Sequence, residues 1–308
     1  DLIELKKIIT SIRNSSPDLI IAIGGGSVID YAKIANVLTE NNNLETEIPD
    51  GSYIIKKKFT KLAAIPTTAG SGAEVTSNAV IYIDQIKYSI EGQELRPDFF
   101  FLIPELVIGA SKKIKSSAGF DAIAQAMESL ISKKSNEKSV AFAERSLEIS
   151  LKYYLDYLNK PNNENTSAMC LAANLSGEAI SISKTTAPHA VSYPFTSIYN
   201  VSHGHAVSLT LNKFLKFNYE NIKSANCNFD LKNRYEIMFK ITNSNSIENF
   251  DKYLKNLKQE AELENNFTNL GIDINKDYSK IISGVNILRL SNNPVELKKE
   301  DLKKIIQN

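Results

Sequence analysis

Asp18-Leu-Ile-Ile-Ala-Ile-Gly-Gly-Gly-Ser-Val-Ile-Asp30 is the stretch on which the fold turns. Its first half, Asp18 to Ile23, is a nearly continuous apolar run, the pattern expected of a parallel strand buried on both faces. Three glycines stop it. Ser27 to Asn36 then resumes with helical spacing, and Ser27 is the expected N-cap. Strand, glycine turn and helix in that order are one unit of an α/β layer fold. Glycines let backbone approach a phosphate, and the helix N-terminus offers unpaired N–H donors, so Gly25, Gly26 and Ser27 are candidate cofactor residues. The spacing is not G-x-G-x-x-G, and a tight turn with no ligand is the competing reading.

Working outward, Leu2 to Ile9 is already helical in pattern, and further strands are expected at Leu62 to Pro66, Ala79 to Ile83 and Phe99 to Ile103. The first of these runs into Thr67-Thr-Ala-Gly-Ser-Gly72, a second small-residue loop with three hydroxyls. Two such loops at the carboxyl ends of strands in one sheet would line one crevice. From about Ser116 the text changes to helices without a convincing strand: Gly119 to Ser132, Lys138 to Leu158, Thr166 to Ser183, Ser202 to Phe217 and several Lys/Asn-rich helices beyond. The expected architecture is an α/β cofactor domain with a parallel sheet, residues 1–112, followed by an all-helical domain, 113–308. The Asn-rich stretches at 162–165 and 243–249 read as solvated loops or compositional bias.

Composition narrows the partner. The 308 residues carry 36 Lys and Arg against 35 Asp and Glu, a net charge of +1 that draws the chain neither to nucleic acid nor to an anionic membrane. The longest apolar runs fall far short of the roughly 20 residues that span a bilayer. Two cysteines, Cys170 and Cys227, make no disulfide framework, which fits a reducing cytoplasm. A small-molecule partner is the expectation.

Only three histidines occur, His189, His203 and His205, all in one short segment. Such clustering favours a metal or catalytic site over scattered core histidines. Pro188 suits the first turn of a helix carrying His189, and Ser202 looks like the cap of the next, with His203 in its first turn. Residues two apart on a helix face different ways, so His203 and His205 should not share one metal. Asp121 and Gln125 lie at i and i+4 among alanines on the helix from Gly119 to Glu128, which would set a carboxylate beside the imidazoles. Against this, Asp121 could simply be a helix N-terminal charge favoured by the macrodipole.

These segments in this order resemble the iron-containing alcohol dehydrogenase family, of dehydroquinate-synthase-like fold. Gly24 to Asp30 is similar to its diphosphate loop, Pro66 to Thr76 to its second cofactor loop, Gly119 to Glu128 to its metal helix, and Asn292-Asn-Pro-Val295 to its closing segment. The resemblance implies NAD or NADP bound by Gly25, Gly26, Ser27, Asp30, Thr67, Thr68, Ser71, Asn78 and Lys87. It also implies a divalent metal, Fe²⁺ or Zn²⁺, held by Asp121, His189 and His203. Gln125 stands where the family usually has a fourth ligand, a histidine, and Tyr193 where it often has a proton-relaying histidine. An amide oxygen is a weaker and harder ligand than imidazole, whereas catalytic zinc manages with three protein ligands. The family's opening strands have no counterpart here, so the α/β domain reads as N-terminally incomplete and NAD is not separated from NADP. A homodimer is the expected assembly.

The mechanism so implied is hydride transfer between nicotinamide and an aldehyde carbon, with the metal as Lewis acid and Tyr193 among the routes for the proton. Asp121-Ala-Ile-Ala-Gln125, Thr185 to Pro194 and His203-Gly-His-Ala-Val207 are similar to the hydroxyethylphosphonate dehydrogenase, or phosphonoacetaldehyde reductase, branch. Lys184, just before Thr185, Thr186 and His189, is then the cation expected to meet a phosphonate; a solvated helix-end lysine is the alternative. The rival functions are a general short-chain alcohol dehydrogenase and a dehydroquinate-synthase-like cyclase.

Overall fold

The computed structural model describes residues 2–39, 43–84 and 86–307. It opens with α1 (Leu2–Ser15), which buries Leu2, Leu5, Ile9 and Ile12 along one stripe. Strand β1 (Leu19–Gly24) leads through Gly25 into α2 (Gly26–Val37), and α3 (Leu44–Asp50) precedes β2 (Lys61–Pro66). A hairpin of β3 (Asn78–Ile83) and β4 (Ile86–Glu91) follows, then β5 (Phe99–Phe100). β1, β2 and β5 form a parallel sheet in that order, paired from Leu19↔Lys61 to Gly24↔Pro66 and from Ala63↔Phe99 to Ala64↔Phe100.

Three expectations need correction. Helix α2 begins at Gly26 with Gly25 as N-cap, so Ser27 is not the cap; it sits in the first turn and faces the cleft. The segment around Ala79–Ile83 does not join the parallel sheet. It pairs antiparallel with β4, from Asn78↔Glu91 to Ile83↔Ile86, because a tight turn with Asp84 at φ 49° folds the chain straight back. Nor is β1 buried on both faces. α2 covers the side of Ala22, Leu62 and Ala64, while Ile21 and Ile23 on the other side are 56% and 55% exposed.

After α4 (Glu105–Ile108) the chain is helical: α5 (Lys112–Ile131), α6 (Glu137–Asn159), α7 (Asn163–Ser183), α8 (Ala187–Tyr199), α9 (His203–Glu220), α10 (Leu231–Thr242), α11 (Ile247–Glu260), α12 (Ile274–Ser283), α13 (Ile287–Leu290) and α14 (Lys299–Gln307). α5 is the axle. It is capped by Ser111 and buried almost all round from Lys115 onward, with α6, α7 and α9 against it. The Asn-rich stretches are structural rather than idle. Asn162 and Asn165 make a reciprocal capping box at the start of α7, and Asn243 closes α10 in the left-handed conformation.

Candidate active site

Asp121 projects from α5, His189 from the first turn of α8 and His203 from the first residue of α9, and their ligand atoms all lie within 4.8 Å of one another. The helix crossing that brings them together depends on Gly204. A Cβ there would stand 1.9 Å from the Ser117 carbonyl oxygen and 2.8 Å from Cβ of Asp121, so only glycine lets the start of α9 press onto α5. α5 starts at Lys112 rather than Gly119, which puts Asp121 well inside the helix and removes the macrodipole explanation for its charge.

His189 is fixed from behind. Its Nδ1 donates to Glu128 Oε2, while Glu128 Oε1 accepts from the Thr186 N–H at 2.8 Å and its hydroxyl at 2.9 Å. With the Nδ1 proton committed, a neutral His189 presents its Nε2 lone pair to Asp121 Oδ1, 3.2 Å away. Two acceptors face each other there, and only a positive charge between them relieves it: a proton or a metal ion. Burial pushes the His189 pKa down, but Glu128 and Asp121 outweigh it and raise it to about 10. Burial and Lys87 drive His203 the other way, to about 3, and its buried Nδ1 has no hydrogen-bond partner. A neutral imidazole, a carboxylate held below its usual range and a back-braced second imidazole fit a divalent metal.

Gln125, expected as a further ligand, is placed as a buttress. Its amide N–H₂ donates to Asp121 Oδ2 at 3.2 Å and to the Ser71 carbonyl at 3.4 Å, and its Oε1 accepts from Ser176 Oγ at 2.9 Å. Turned over, the amide oxygen would confront two other oxygens, an arrangement stable only with a cation between them.

The metal group opens into a cavity of about 770 Å³, lined also by Gly26, Ser27, Asp30, Thr68, Ser71, Asn78, Lys87 and Tyr193. Asp30 accepts from the Val80 N–H at 3.0 Å and pairs with Lys33 at 3.6 Å; burial pushes the acid up and the lysine down. Gly25 and Thr67 do not line the cavity. Gly25 caps α2 under Thr68, and Thr67 donates its N–H to Gly24, tying the two loops together at 2.9 Å. Lys184 is also absent from the lining: its ammonium pairs with Glu91 at 3.2 Å, because the chain leaves α7 at this residue with φ 61° and turns it toward the hairpin. His205 points away and bonds the Glu264 carbonyl at 2.7 Å, as its spacing from His203 requires. Sequence reasoning missed Glu128 and also Arg289, a buried arginine of α13 that lines the same cavity. Glu128 stood one helical turn beyond Gln125, within reach of notice; nothing around Arg289 signalled it.

The family profile "Iron-containing alcohol dehydrogenase" matches residues 1–104, and "Fe-containing alcohol dehydrogenase family, C-terminal" matches 115–308. The chain is 31% identical over 217 residues to a phosphonoacetaldehyde reductase of Streptomyces viridochromogenes, covering 66% of this chain and 53% of that protein. It is 32% identical over 224 residues to a 4-hydroxybutyrate dehydrogenase of Clostridium kluyveri, covering 70% and 59%. The matched stretches thus span little more than half the length of these relatives. Among solved structures, a sulfoacetaldehyde reductase from Bifidobacterium kashiwanohense in complex with NAD⁺ superposes with a TM-score of 0.87 at 26% identity, covering 100% of this chain and 80% of that one. Among the described residues no helix is long and apolar enough to cross a membrane.

Proposed function

The chain belongs to the iron-containing alcohol dehydrogenase family, and on that footing we propose that it reduces a short aldehyde to its alcohol with NAD(P)H and a divalent metal. The observation that carries this reading is the triangle of Asp121, His189 and His203 in a cavity that both small-residue loops also line. Bound there, NAD(P)H would supply the hydride and the metal ion the Lewis acidity that polarises the carbonyl. The carbonyl carbon gains a hydride, its oxygen gains a proton, and oxidised cofactor is left.

The chain's own residues divide the work. Asp121, His189 and His203 hold the ion, and Gln125 steadies Asp121. Gly26 and Ser27, at the N-terminus of α2, and the hydroxyls of Thr68 and Ser71 receive the diphosphate, with Gly25 and Thr67 shaping the turn beneath it. Asp30, Asn78 and Lys87 border the rest of the cofactor. Residues 1–112 supply the cofactor side and 113–308 the metal side. Tyr193 lies with its ring 6.1 Å from that of His203. Burial pushes its phenol up, but Lys87 and Arg289 outweigh burial and hold it below its ordinary value, which suits its hydroxyl to hand a proton to the forming alkoxide.

For the substrate we propose phosphonoacetaldehyde, reduced to 2-hydroxyethylphosphonate. The names of the phosphonoacetaldehyde, 4-hydroxybutyrate and sulfoacetaldehyde enzymes share one chemistry: a short chain with an oxidisable or reducible end and an anion at the other. The test is aldehyde-dependent loss of reduced-nicotinamide absorbance with full-length protein loaded with Fe²⁺ or Zn²⁺, using NADH and NADPH in parallel. Turnover of phosphonoacetaldehyde above propanal and butanal is expected. Faster turnover of the neutral aldehydes rejects the phosphonate; no turnover of any aldehyde rejects the reductase.

A further inference from the structure

Among the described residues that line the cavity, Lys87 and Arg289 are the only lysine and arginine. Arg289 comes from α13, near the C-terminal end, and is 9% exposed. Its Nη2 donates to Glu91 Oε1 at 3.0 Å and to Ser89 Oγ at 3.4 Å. Both acceptors belong to β4, where alternate residues share a face, and that face also carries Lys87. The Lys87 ammonium lies 4.0 Å above the Tyr193 ring. Glu91 is shared between Arg289 and Lys184. The contacts to β4 engage one nitrogen of a planar fork that also hydrogen-bonds Tyr193, and whose five N–H donors suit tetrahedral or planar oxyanions. The Tyr193 ring beneath the Lys87 ammonium is in turn 6.1 Å from the ring of His203.

We propose that Arg289, braced by Glu91 and seconded by Lys87, is the specificity determinant of the cleft, taking the anionic tail of a short aldehyde whose carbonyl meets the metal group. This rests on the aldehyde-reductase reading. It moves tail recognition from Lys184, which faces Glu91 outside the lining, to a residue inside it. Phosphonate, sulfonate and carboxylate tails share the chemistry; substrate length and charge decide between them.

The experiment compares full-length, metal-loaded wild type with Arg289→Met and Arg289→Lys. kcat/KM is measured for phosphonoacetaldehyde, sulfoacetaldehyde, succinic semialdehyde and butanal, and binding of 2-hydroxyethylphosphonate is followed by calorimetry. The quantity read is the ratio of anionic to neutral kcat/KM within each variant, which does not depend on the fraction of protein folded. Arg289→Met should lower that ratio about 10- to 100-fold, the worth of a hydrogen bond to a charged group. Arg289→Lys should restore part of it, and the tail most affected identifies the source of the anion. An unchanged ratio, as expected if Arg289 merely ties α13 to the hairpin, overturns the proposal. If wild type reduces no aldehyde the reductase reading fails separately. Calorimetry then decides the subsite: alcohol binding that is lost in Arg289→Met sustains it, and no binding to wild type overturns it.

Discussion

Asp121, Gln125 and His189 are 4%, 3% and 4% exposed; Gln125 and His189 are held by Ser176 and Glu128 on other helices, and Asp121 by Gln125 one turn along α5. Across the cavity, Gly26, Ser27, Thr68 and Ser71 meet the same space with backbone and small hydroxyls, on a sheet whose far side leaves Ile21 and Ile23 half bare. The wall proposed to hold the metal is made of largely buried side chains, of which Gln125 and His189 are held by neighbours distant in sequence. The wall proposed to take the cofactor is made of local turns whose shape follows from glycine and a helix start. Damage should therefore spread on the first wall and stay local on the second.

The largest effect is expected from Glu128→Gln. It removes the charge behind His189 and should weaken metal binding about 10- to 100-fold, as loss of such outer partners does elsewhere; competition with a chromophoric chelator reads it. An unchanged affinity would mean that Glu128 only fills space. Gly204→Ala comes next. The methyl has no room against Ser117, so α9 must retreat from α5. A loss of about 1–3 kcal/mol in stability is expected, together with weaker metal binding. Chemical denaturation that shows wild-type stability would place the crossing wrongly. On the other wall, Gly26→Ala sets a Cβ 2.7 Å from Ser71 Oγ, a side chain able to move. NAD(P)H affinity should fall about tenfold, on the order of 1.4 kcal/mol, with metal content unchanged; a fall in metal content would show the two walls to be coupled. Smallest is Lys184→Ala. Glu91 keeps Arg289 as partner, and loss of a partly exposed ion pair is worth about 0–1 kcal/mol. A large selective loss with anionic aldehydes would return Lys184 to the role first expected of it.

What could be read from the sequence follows the same division. The glycine turn, the second loop and the strands β1 and β2 are local patterns of period and composition, and the sequence carries them openly. The metal triangle was legible because histidine is rare here and because the helix with Asp121 resembles a known one. Long-range placement was not legible. The hairpin at β3 and β4 lacks a strong turn signal, Lys184 turns away through a left-handed backbone conformation that no neighbour announces, and Arg289 reaches the cleft from a helix of four residues. Gln125 matched a ligand position, yet its orientation depends on Ser71 and Ser176, both far from it in sequence.

The central claim is that Asp121, His189 and His203 together hold one divalent metal. Elemental analysis of full-length wild type and His203→Ala tests it most directly, after loading with Zn²⁺ or, under reducing conditions, with Fe²⁺ and removal of free ion. About one ion per chain in wild type and a small fraction of that in the variant is the predicted result, since two protein ligands fall short of the three that a catalytic site needs. Equal metal content in the two proteins, or none in wild type, would contradict it.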